Sequence, residues 1–153
     1  MTPLERGQLR LMRIHAILGA LVAAAVAAVA EYILHKEVGL PRGAIALPLA
    51  LPLLYAVLVS PGRRYRAWGY QLDADELQVR HGVWVQMHTM VPLDRVQHID
   101  ISQGPLERSC GICRLVVHTA GTLHSQVVLP GLARPTAERI RDEIRTRIRE
   151  ERE

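Results

Sequence analysis

Few residues in this 153-residue chain carry chemistry of their own, and the densest group is Cys110-Gly-Ile-Cys113. A C-x-x-C pair can be a redox couple. That use depends on a thiolate of lowered pKa, usually at a helix N-terminus in a βαβ setting. The pair can also be half of a zinc site, which needs two further ligands. His98, His118 and His124 are the candidates downstream and upstream, with His81 and His88 further back, and none stands at finger-like spacing from the cysteines. The third use is packing, since a free cysteine behaves as a small apolar side chain. Between two β-rich runs, packing is the reading we prefer. Two cysteines within a span of four residues build no disulfide framework and suit a reducing compartment.

Just ahead lies a charged loop, Gly104-Pro-Leu-Glu-Arg108, preceded by Pro92-Leu-Asp-Arg95 and the run Val96 to Gln103. Leu106 can tuck inward while Glu107 and Arg108 stay outside or pair with each other. One reading is a structural ion-pair set of Asp94, Arg95, Glu107 and Arg108. Surface pairs contribute only about 0–1 kcal/mol each, so stability explains the loop weakly. The other reading is a docking surface for a protein, with Arg95, Gln97, Gln103, Glu107 and Arg108 as its residues. Catalysis has no comparable support. The chain has no nucleophile elbow, no phosphate loop and no close carboxylate pair in an apolar setting. We therefore expect no enzyme, no catalytic residue and no cofactor.

The elements that must hold this loop begin with two apolar spans. No charged residue occurs from Ile14 to Ala30 or from Gly43 to Gly62. Each run approaches the roughly 20 residues needed to cross a bilayer. A signal peptide competes for the first, but a second span follows within a dozen residues. The spans are expected at about 14–34 and 43–60, joined by a short connector with Gly39 and Pro41. Pro48 and Pro52 are placed to kink the second span. Gly19, Ala23 and Ala27, and likewise Ala16, Ala20, Ala24 and Ala28, recur every four residues, a spacing that admits a close helical neighbour. Arg6, Arg10 and Arg13 precede the first span and Arg63, Arg64 and Arg66 follow the second; the connector carries only Lys36 and Arg42. By the positive-inside rule both termini face the cytoplasm.

From Tyr65 the apolar period becomes two. Strands are expected over Tyr65–Leu72, Leu77–Arg80, Val83–Val91, Val96–Gln103, Leu115–Thr119 and Ser125–Leu129, with turns between them. No helix interrupts them, which excludes a parallel α/β sheet. Ala137, Ile140, Ile144 and Ile148 then mark an amphipathic helix over about 135–150, with one narrow apolar stripe. Its balanced charge suits capping a β-barrel better than binding a membrane surface. The domains are thus 1–62, a cytoplasmic segment with two spans, and 63–153, a β-rich domain. A net charge of +4 over the whole chain excludes the strong basic excess of a nucleic-acid binder. Convergent cations for a phosphoinositide headgroup are also missing, because the one local run is the Arg63, Arg64, Arg66 flank.

A strand meander closed by one C-terminal helix is the plan of a pleckstrin-homology-like domain. Pro92, Arg95, Val96, Gln97, Ile99, Ile101, Gln103, Gly104, Pro105, Leu106, Glu107, Arg108, Gly111, Thr119, Ala120 and Gly121 match a run found in one bacterial group. On these residues the chain resembles the bacterial pleckstrin-homology family of small YdbS-like membrane proteins, in which two spans precede the domain. Cys110 departs from the pattern, which is usually aromatic there. The resemblance implies a two-helix transmembrane hairpin, then a PH-like barrel or sandwich of six to seven antiparallel strands capped by a helix. It implies a bacterial inner-membrane location, a cytoplasmic domain and no catalytic residue. It also implies a protein partner, a larger multi-domain membrane relative being the candidate. The competing function is a thiol- or metal-dependent one through Cys110 and Cys113.

Overall fold

The computed structural model describes residues 1–39, 41–120 and 126–150. They fall into two compact units: Met12–Arg63, and Met1–Leu11 together with Arg64–Glu153.

In the first unit, helix α1 (Arg6–Val38) and helix α2 (Ala46–Leu58) are long, apolar and largely uncovered by protein. With its continuation α3 (Ser60–Ala67), α2 reaches 22 residues, so both helices are long enough to cross a bilayer. The break at Val59 falls two residues before Pro61, whose ring denies the helix one N–H and crowds the preceding turn. Pro48 sits in the first turn of α2, where a missing N–H costs nothing, and Pro52 lies inside the helix. Glu31 of α1 accepts from the Gly43 N–H and from the Ala46 N–H at 3.2 Å, satisfying donors at the start of α2. Ala24, Ala27 and Ala28 share one cleft with Ala46, Leu49 and Ala50, as expected of small residues where two helices approach.

The second unit is two three-stranded antiparallel sheets, each a simple meander. One holds β1 (Gly69–Leu72), β2 (Glu76–His81) and β3 (Met87–Pro92); the other holds β4 (Val96–Ser102), β5 (Cys113–Thr119) and β6 (Gln126–Leu132). A 3₁₀ turn, Leu93–Arg95, carries the chain from one to the other, and a single-turn helix α4 (Pro105–Ser109) joins β4 to β5. Alternate residues of the strands, Leu77, Val79, Leu115, Val117 and Leu129, are buried in one core. Helix α5 (Arg134–Glu150) closes it with Ala137, Ile140 and Ile144, the expected stripe. This is the six-strand, helix-capped architecture anticipated from the alternation.

Three local expectations change. Tyr65 is not in a strand: it belongs to α3, and its hydroxyl donates to the Leu4 carbonyl at 2.6 Å. The alternation from Val83 to Val91 is not one strand either, because β3 starts only at Met87. Gly82 has φ +106°, and an added Cβ would lie 1.9 Å from the Val85 carbonyl oxygen, so the chain turns tightly there. The Gly104-Pro105 turn continues as α4, since proline suits the first helical position.

Met1–Leu11, assigned by sequence to the membrane half, packs with the β unit. Thr2 exchanges backbone hydrogen bonds with Tyr70 at 2.7 and 3.0 Å, and Glu5 N–H donates to the Gly131 carbonyl at 2.9 Å. Leu4 joins the core. Gly7 lies so near the Cys110–Ile112 turn that an added Cβ would come within 2.5 Å of it.

Candidate functional site

The 3₁₀ turn, β4 and α4 with the short link between them contain every residue singled out for docking. Arg95 ends the 3₁₀ turn and Gln97 follows on β4; both are exposed. A register shift between Val96 and His98 sits at Gln97, a bulge at the start of the strand. Arg108 lies beyond the other end of β4, exposed on α4, and among the described residues its guanidinium makes no ion pair. The seven residues of β4, roughly 20 Å of strand, lie between the two arginines together with the five from Gln103 to Glu107. Arg95 and Arg108 therefore mark opposite ends of one strand, not one cluster.

Gln103 and Glu107 serve the loop itself. The Gln103 amide donates to the Ile112 carbonyl at 2.7 Å, tying the end of β4 to the start of β5. Glu107 is buried, and its partner is Arg114 instead of the expected Arg108. One carboxylate oxygen accepts from Arg114 Nη2 at 2.7 Å and from Nε at 2.9 Å. The other accepts from the Gly104 N–H at 2.6 Å, holding the first turn of α4. A glycine N-cap has no side chain, so this is the carboxylate half of a capping box alone. The Glu107 carbonyl also accepts from the Ile112 N–H at 2.9 Å. Glu107 thus positions the loop that presents Arg108.

The cysteines sit at the exit of the same loop. Cys113 is buried at the start of β5, its thiol donating toward the Leu132 carbonyl at 3.5 Å. Burial pushes that thiol up from its ordinary pKa, which holds it protonated and opposes thiolate chemistry. Cys110 is partly exposed at the end of α4. The three-ligand group found among the described residues joins His98, Asp100 and His118, and neither cysteine belongs to it. His124 and Gly121 lie outside the described residues. His81 instead stacks on Trp68, centroids 4.7 Å apart, and His88 is exposed on β3. Arg10 and Arg13 are exposed on α1, and Arg64 and Arg66 on α3. Arg63 is exposed too and donates to the Tyr55 hydroxyl at 3.0 Å. The reading from sequence missed Asp100; the His98-x-Asp100 spacing, two on one strand, was the available signal.

β4 is one of the two outer strands of its sheet. It pairs with β5 on one side, and among the described residues no strand pairs with it on the other. Gln97, His98, Asp100 and Ser102 along it are exposed. An outer strand with open backbone groups is a template for another extended chain.

The pattern of the family described as Bacterial PH domain matches residues 13–148 of the chain. The chain is 32% identical, over 117 residues, to the UPF0699 transmembrane protein YdbS of Bacillus subtilis strain 168, covering 76% of this chain and 71% of that one. It is also 28% identical over 103 residues to the UPF0699 transmembrane protein YdbT of the same strain, covering 67% of this chain but 20% of the relative. No solved structure matches it.

Proposed function

The chain belongs to the bacterial PH domain family, and from that footing we propose that it is a membrane-tethered, non-enzymatic docking module whose β4 edge receives a protein partner. The observation that carries this is the open edge itself. β4 runs between two exposed arginines with no strand on its outer side among the described residues. Strand addition there would supply main-chain hydrogen bonds, with side chains at alternate positions giving specificity. Arg95 and Arg108 at the two ends favour an extended segment with acidic residues spaced to meet both. A buried, protonated Cys113 leaves the thiol-dependent alternative without support.

The partner we favour is a longer membrane relative. The likeness to a relative of which this chain spans only a fifth supports that choice, since such a protein has room for more than one such segment. Two apolar helices tether the module, and the arginine flanks favour both termini and the β domain on the cytoplasmic side. On this reading residues 12–63 anchor and residues 64–153 dock, with Met1–Leu11 completing the docking unit.

The test is a pull-down of the full-length protein from solubilised membranes, comparing wild type with Arg95→Glu/Arg108→Glu. Loss of a co-purifying membrane protein, with an unchanged melting temperature, is expected. Equal recovery from both would refute the edge as the docking surface.

A further inference from the structure

The outer face of the second sheet carries a group that the docking reading does not use. We propose that His98, Asp100 and His118 form a binding site for a divalent transition metal, zinc being the best match, on the exposed surface of β4 and β5.

The strand register builds the site. His98 and His118 are direct cross-strand partners in the antiparallel β4–β5 pair. Side chains so placed have Cβ atoms about 5 Å apart. Asp100 lies two residues along β4 and therefore on the same face. The imidazoles stack with centroids 3.9 Å apart and planes 13° apart. That leaves both rings presenting the same nitrogen to the same oxygen. His98 Nε2 is 3.4 Å and His118 Nε2 is 3.2 Å from Asp100 Oδ2. All three ligand atoms lie within 4.8 Å of one another.

The two His–Asp separations match those of neighbouring ligand atoms, and a turn of the stacked rings about χ2 brings both Nε2 lone pairs onto one ion. Tetrahedral zinc with bonds of about 2.0–2.1 Å holds neighbouring ligand atoms about 3.3 Å apart. Two imidazoles and one carboxylate are a donor set for zinc and its neighbours, not for calcium or magnesium, which take oxygen ligands. A pair of solvated His–carboxylate hydrogen bonds is the competing account. With His98 and Asp100 each about 60% exposed, such contacts give little energy. Three protein ligands leave a position for water or for a donor from another molecule. The site owes nothing to Cys110 and Cys113, and it stands or falls apart from the docking of a partner.

The experiment uses full-length protein in detergent, purified without a histidine tag and stripped with a chelator. Zinc titration against a competing fluorescent chelator should give one site per chain. His118→Ala and Asp100→Asn should each weaken it by more than about a hundredfold, beyond the roughly 10–100-fold that the loss of a supporting outer contact costs. Cys110→Ala/Cys113→Ala should leave it unchanged. Cobalt loading should produce a ligand-field spectrum without thiolate-to-metal charge transfer, and that readout is lost in His98→Ala if the site is correct. Melting temperatures establish that each variant is folded. Zinc binding abolished by the cysteine pair, retained fully by His118→Ala, or weak and equal in every variant would overturn the assignment.

Discussion

Glu107 and Arg114 bridge the two ends of the β4–β5 connection: Arg114 Nη2 lies 2.7 Å from a carboxylate whose side chain is only 6% exposed. The same carboxylate accepts from the Gly104 N–H, so one side chain holds the start of α4 and ties it to β5. Removing it leaves Gly104 and Arg114 without their acceptor. Glu107→Ala should cost about 2–3 kcal/mol, in line with hydrogen bonds to a charged group. Arg114→Ala should cost at least as much, because it leaves a buried carboxylate without its counter-charge. Urea denaturation of the solubilised protein measures both, and a negligible loss in either variant would contradict the central place given to this pair.

Cys113 predicts a pH dependence. Burial raises its thiol pKa, so the folded chain keeps the proton to higher pH than the unfolded chain does. Its contribution to stability is whole below the unfolded thiol range, about pH 8.5, and is lost as pH climbs through the raised folded value. Tyr70, raised by burial as well, acts later because phenols ordinarily ionise near about 10. Wild-type stability should therefore fall from about pH 8 to about pH 10 more steeply than that of Cys113→Ala. Parallel curves would show that the thiol does not titrate differently in the fold. Alkylation at neutral pH should mark Cys110 first, Cys113 reacting only on unfolding.

Gly82 sets the β2–β3 hairpin. Its φ of +106° is reserved for glycine, and a Cβ would collide with the Val85 carbonyl. Gly82→Ala should destabilise by at least about 1–2 kcal/mol. Amide exchange across Arg80 and His88, which face each other in that hairpin, should rise first. A melting curve unchanged by the substitution would contradict the turn.

The strand alternation was legible where burial is one-sided: Leu77 and Val79 face inward with the polar Gln78 between them, whereas Val116, between Leu115 and Val117, is itself buried. The stripe Ala137, Ile140, Ile144 was legible for the same reason at helical period. What escaped depends on partners distant in sequence. Tyr65 has a strand-forming side chain, yet its hydroxyl reaches Leu4, 61 residues away. Val83–Val91 alternates perfectly, but a backbone constraint at Gly82 overrides the pattern. Glu107 looked like a surface charge because nothing local reveals that Arg114 will fold back over it. Asp100 gains meaning only once the register sets His118 beside it.

Orientation in the membrane is open to a direct check. Reporters active only in the cytoplasm should work when fused after the C-terminus and fail when inserted in the connector between α1 and α2. The reverse pattern would overturn the cytoplasmic assignment of the β domain, and with it the choice of partners on that side.

The open edge of β4 can be interrogated residue by residue. A photo-crosslinking amino acid at Gln97 in the full-length protein, irradiated in intact membranes, should give one discrete adduct with a second membrane protein. The same probe at Arg139, exposed on α5, should not. An adduct from Arg139 with none from Gln97 would contradict docking at the β4 edge.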